Sequence, residues 1–109
     1  MQLAMRAIVL AAMLSAGMAG PLRAAEHSVT MAFAGYSPAA LTARVGDVIR
    51  FKNDDGEGHE VLVPTKGFGV DLGLQKPNET TELMLLKAGA FDVECVIHDH
   101  MHMRVTVNP

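Results

Sequence analysis

What most limits the fold open to this chain is a two-residue rhythm. Val29, Met31 and Phe33 alternate with Thr30 and Ala32, and Ile49 and Phe51 alternate with Arg50 and Lys52. His59, Val61 and Val63 share one parity, as do Phe91, Val93 and Cys95, then Val105 and Val107. Side chains two apart point to the same side of a strand, so each run predicts a strand with one buried face. Turn formers separate the runs: Gly35 to Pro38, Gly46-Asp47, Asn53 to Gly58 and Lys87-Ala88-Gly89. From Pro64 to Asn78 the breakers Gly67, Gly69, Gly73 and Pro77 crowd together, which predicts a long loop. With no amphipathic helical period to set against these runs, the chain reads as all-β, a small antiparallel β-sandwich of six to eight strands. In that architecture the loops gather at the two ends, where a site can be built.

The first quarter of the 109 residues stands outside this rhythm. Arg6 is followed by the apolar run AIVLAAMLSAGMAG and then by small residues, the pattern of a secretory leader and too short for a membrane span. Candidate cuts follow Ala19, Ala24 or Ala25. We therefore expect a signal peptide over 1–25, a single domain over 26–109, and export to a periplasm, with no membrane span after cleavage. Loss of Arg6 and Arg23 leaves seven basic side chains against twelve acidic ones, a net charge near −5. That sign argues against nucleic acid as a partner. A small acidic sandwich of this kind is expected to be a monomer.

An exported chain with one cysteine cannot form an internal disulfide, although small domains commonly need a staple. A metal held by Cys95 would supply it. The segment Cys95-Val96-Ile97-His98-Asp99-His100-Met101-His102-Met103 packs that cysteine, three of the five histidines and two methionines into nine positions. Thiolate and thioether ligands favour copper, and imidazole suits it as well. A trigonal site of two His and one Cys with a long axial Met is an electron-transfer copper geometry. It needs one histidine from elsewhere in the chain.

The run GDVIRF, the isolated His59, the stretch GAFDVECVIHDHM and the closing VTVN together resemble the cupredoxins, the blue copper proteins of the plastocyanin, azurin and amicyanin group. The likeness covers Leu41 to Asn108 and implies a Greek-key sandwich holding one type 1 copper ion that cycles between Cu(I) and Cu(II). Carried over residue by residue, the family's ligand roles fall on His59, Cys95 and His98, with Met101 as the axial ligand of a short Cys-x-x-His-x-x-Met loop. Met103 is the alternative axial residue, but it shares the parity of Val105 and Val107 and so also reads as core. Two departures stand out. Glu60 occupies the place after the first His where the family commonly has an Asn that pins the ligand loops. In addition, the loop offers Asp99, His100 and His102 where many relatives present an apolar docking patch.

The resemblance implies a one-electron carrier between redox protein partners, an electron donor and an acceptor, and not an enzyme. A copper carrier or tolerance protein is the alternative, with His100 and His102 as a possible accessory site beside Met103. His27 adds to that alternative, because a cut after Ala24 would expose Ala25-Glu26-His27, a type of Cu(II) chelate.

Overall fold

The computed structural model describes residues 24–109, so the leader expected over 1–25 falls almost wholly outside the described residues. Nine strands form two sheets among them: β1 (Glu26–Ala32), β2 (Gly35–Ser37), β3 (Ala40–Arg44), β4 (Val48–Asn53), β5 (His59–Val63), β6 (Val70–Gln75), β7 (Thr80–Met84), β8 (Gly89–Glu94) and β9 (His102–Asn108). One sheet has the order β2-β1-β4-β7 and the other β3-β9-β8-β5-β6. The alternating runs become the inner faces. Val29 and Met31 of β1, Ile49 and Phe51 of β4, Val61 and Val63 of β5, Phe91 and Val93 of β8, and Met103, Val105 and Val107 of β9 are all buried. Their charged neighbours Arg50, Lys52, Glu94 and Arg104 point outward.

Three features differ from the reading of the sequence. The sheets are mixed, because β1 pairs with β4 and β3 with β9 in parallel. After β2 the chain crosses to the other sheet for β3 and then returns, so β4 enters beside β1 running the same way. The stretch expected as a long loop contains β6, an edge strand paired only with β5. An edge position tolerates the breakers: Gly73 takes φ of +79°, and the β5–β6 register shifts between Glu60 and Leu62. Phe33, finally, leaves the core at the β1–β2 turn and is exposed.

At the start of β8, Gly89 has φ of +139°, and a Cβ there would lie 2.5 Å from the Phe68 ring. Only glycine meets both demands. Its place fixes the phase of β8, and hence the side on which Cys95 emerges at the strand's end.

Candidate metal centre

His59 opens β5 directly after the Asn53–Gly58 turn, and strand parity turns its ring inward with Val61 and Val63, where it is fully buried. Cys95 follows the last residue of β8 and is buried in the same way. Three positions later His98 folds back from the loop, its side chain 18% exposed. The donor atoms of His59, Cys95 and His98 all lie within 4.8 Å of one another. Cys95 Sγ is 3.7 Å from His98 Nδ1, and the two imidazole centroids are 4.7 Å apart.

The hydrogen bonds around His59 select one of its nitrogens. Nε2 lies 2.8 Å from Asp55 Oδ2. The bond from His59 lowers the Asp55 carboxyl below the usual carboxylate range, with help from the Gly56 amide, so Asp55 is an acceptor and Nε2 must carry the proton. In the neutral ring Nδ1 is then a bare lone pair. It is also the one buried side-chain nitrogen or oxygen without a partner among the described residues. A buried polar atom left unpaired is costly and calls for an explanation, and here it sits on a residue grouped with a thiol and a second imidazole.

A polar frame holds the turn that presents Asp55. Asn53 is fully buried; its Nδ2 donates to the carbonyls of Glu57 at 2.7 Å and Gln75 at 3.0 Å, and its Oδ1 accepts from the Asp55 amide at 3.0 Å. Gln75 is buried beside it, donating to the carbonyls of Phe51 and Glu79 and accepting from the Thr81 hydroxyl. Neither Asn53 nor Asp55 was singled out by the sequence reading. A signal existed for Asn53, which continues the inward parity of Ile49 and Phe51 and so had to find partners in the core.

Glu60, in the place where the family commonly has Asn, also reaches the ligand loop. Its Oε1 accepts from the Val96 amide at 3.3 Å, tying β5 to the loop just after Cys95. Tyr36 from β2 donates its hydroxyl to the Glu60 carbonyl. Burial, reinforced by Cys95, Glu60 and Glu94, drives the tyrosine pKa far upward, so this donor stays protonated.

The remaining loop residues separate. Met101 is buried, its amide donates to the His98 carbonyl at 3.0 Å, and it lines a concavity with Cys95, Val96 and Asp99. Met103 is buried on β9, opposite Val93 of β8. His100 Nε2 lies 2.7 Å from the Phe33 carbonyl, its ring tilted against that of Phe33. His102 Nε2 lies 3.0 Å from Asp92 Oδ1, a carboxylate that also holds Arg104. Of the alternating histidines, His98 alone joins the donor group. Around it the surface is mixed: Phe33, Val96 and Ile97 are exposed, so apolar area is present beside Asp99, and Glu57 Oε2 stands 3.4 Å from His98 Nε2.

Two imidazoles, a thiol and a nearby buried thioether form a donor set that suits copper, and the unpaired Nδ1 is the atom such an ion would use. The family model described as Cupredoxin-like domain matches residues 4–107. A search of curated proteins gives no match. Among solved structures, a proline-to-phenylalanine mutant of amicyanin in its reduced state is similar at 26% identity and a TM-score of 0.70, over 76% of this chain and 82% of that one. A methionine-to-alanine mutant of amicyanin, Cu(I), gives 23% identity, a TM-score of 0.71 and the same coverage. The novel purple cupredoxin from Nitrosopumilus maritimus gives 18% and 0.68, over 75% of this chain and 99% of that one.

Proposed function

The chain belongs to the cupredoxin-like family, and on that premise we propose that it is a periplasmic type 1 copper protein that carries single electrons between redox proteins. The observation that carries this reading is the grouping of His59, whose buried Nδ1 has no partner, with Cys95 and His98. Those three residues would hold the ion, with Met101 as the weak axial ligand. Bound copper supplies a reversible one-electron exchange between Cu(I) and Cu(II).

The protein's part is to hold its ligands still and keep water away. Asp55 fixes the ring of His59, Glu60 ties the loop beside Cys95, and Met101 closes a turn onto the His98 carbonyl. Ligands so constrained change little in position when the charge of the site changes. Burial of His59, Cys95 and Met101 leaves the edge of His98 as the approach from solvent. A partner docking there meets Phe33, Val96 and Ile97 with Glu57 and Asp99 among them, which favours a redox protein with a small apolar face and cationic groups at its rim. Four protein ligands leave no open position for a substrate, so the reading is of a carrier and not of an enzyme. Copper handling through His100 and His102 is the less favoured reading, since each already has a partner in Phe33 or Asp92.

Addition of Cu(II) to the purified apo-protein is expected to give an intense thiolate-to-copper charge-transfer band that saturates at one equivalent and is absent from Cys95→Ser. A colourless product, or a band that survives the substitution, would refute the reading.

A further inference from the structure

We propose that maturation cuts the bond between Ala24 and Ala25, and that the α-ammonium group so created is held by the Asp47 carboxylate as a charged clasp on the first strand. The inference is independent of the copper reading; it rests on the expected leader and ends it one residue earlier, at Ala24 instead of Ala25. The step is a hydrolysis by an export peptidase: water adds across the Ala24–Ala25 peptide bond, leaving a carboxylate on Ala24 and an ammonium on Ala25.

Asp47 sits in the tight turn between β3 and β4, with its side chain only 9% exposed. Its Oδ1 accepts from the Ala25 nitrogen at 3.0 Å. Oδ2 accepts from the Arg44 amide at 3.0 Å and meets His27 Nε2 at 2.9 Å. The bond from His27, then that from the Arg44 amide, lowers the carboxyl pKa, so the group is ionised at neutral pH. Among the described residues, its one side-chain ion pair is with His27, which is charged only when protonated. A carboxylate this shielded is therefore short of a permanent cation, although three N–H groups converge on it.

Each candidate cut puts a different group at this spot. After Ala19, the Ala25 nitrogen remains a neutral amide. After Ala25, the donor is deleted together with the Ala25 carbonyl, which accepts from the Val48 amide at 3.0 Å and begins the pairing of β1 with β4. A cut after Ala24 keeps both bonds and places a unit positive charge 3.0 Å from Oδ1. Ala24 and Ala25 are exposed and precede β1, so no strand spans the bond that is cut.

The same geometry removes the new terminus as a copper chelate. Such a chelate would have to gather the amine, the backbone nitrogens and the His27 ring around one ion. Here the amine and the ring both engage Asp47, while Glu26 and His27 lie opposite Val48 and Ile49 in the β1–β4 ladder. Binding an ion would undo the first rungs of the sheet.

The test exports the full chain with its own leader and reads the first residue of the recovered protein by intact mass; Ala25 is expected. The rate at which an acylating reagent labels the α-amine at neutral pH is then compared with that of the free peptide Ala-Glu-His-Ser-Val. Each unit by which an ion pair raises the amine pKa slows labelling tenfold, so the folded protein should react at least about tenfold more slowly, and Asp47→Asn should restore the rate. A different first residue, or labelling of the wild-type protein at the peptide's rate, overturns the proposal. The comparison with the free peptide decides the matter even where Asp47→Asn does not fold.

Discussion

Asp55 is the residue whose removal tests most directly whether the metal centre is held from behind. Loss of an outer partner of a metal-binding histidine typically lowers metal affinity about 10- to 100-fold. The structure places different substitutions at different ends of that range. The His59 ring is fully buried, so water does not reach it, whereas the Asp55 side chain is 22% exposed. Asp55→Ala therefore opens a path by which water replaces the lost acceptor, and about tenfold weaker copper binding is expected. Asp55→Leu fills the space with apolar atoms and leaves the Nε2 proton without a partner, which removes the bias toward Nε2–H and lets the tautomer protonated at Nδ1, the nitrogen needed as a ligand, compete. For that variant the loss should approach about 100-fold. Asp55→Asn retains an acceptor oxygen and should be the mildest of the three. Affinity is read by chelator competition against the charge-transfer band, and the tautomer of His59 by nitrogen NMR of the apo-protein. If Asp55→Leu binds copper as tightly as the wild type, and its apo-protein keeps the wild-type tautomer balance at His59, the reasoning fails. Absence of copper binding by the wild type would instead refute the copper reading, while the NMR measurement would still judge Asp55.

Four further outcomes are expected. Met101→Leu should shift the reduction potential and visible spectrum more than Met103→Leu does, and the reverse ranking would move the axial role to Met103. Met103→Ala, at a fully buried position of β9, should cost about 2–5 kcal/mol in urea unfolding of the apo-protein; a loss below about 1 kcal/mol would contradict its core assignment. Copper stoichiometry should stay at one ion per chain in the double variant His100→Ala, His102→Ala; a second ion present in the wild type and lost in the variant would favour copper handling. Hydrogen bonds from Arg104, then His102, lower the Asp92 carboxyl in the folded state, so its contribution to stability is complete above the unfolded value near pH ~4 and fades as pH falls through the lower folded value. Urea midpoints of Asp92→Asn should accordingly fall less steeply below pH ~4 than those of the wild type.

The inner faces of the sandwich were legible because period-two alternation assigns a side without any knowledge of neighbours. The phase of Phe91, Val93 and Cys95 brought the thiol inward, and that of His59, Val61 and Val63 did the same for the imidazole. Alternation does not say which strand lies beside which, so the parallel pairs β1–β4 and β3–β9 were hidden. Phe33 fitted the rhythm and failed it, since the strand ends one residue before it and its ring turns out to meet His100. The acidic turn showed its composition but not its role. Whether Asp55 reaches His59 depends on the path of the turn, and that path is set by Asn53 bonding to carbonyls from Glu57 and Gln75, contacts that no spacing rule encodes.

The parallel pairing of β3 with β9 joins Ala40–Arg44 to the last strand of the chain, from Arg104 to Asn108. Contacts so far apart in sequence form late, because a long loop must close before they contribute. β9 also pairs with β8, so the sheet that presents His59 and Cys95 is incomplete until the residues from His102 to Asn108 are in place. The order of the strands therefore places assembly of the His59, Cys95 and His98 group late in folding, after the ligand loop and the strand that follows it have docked.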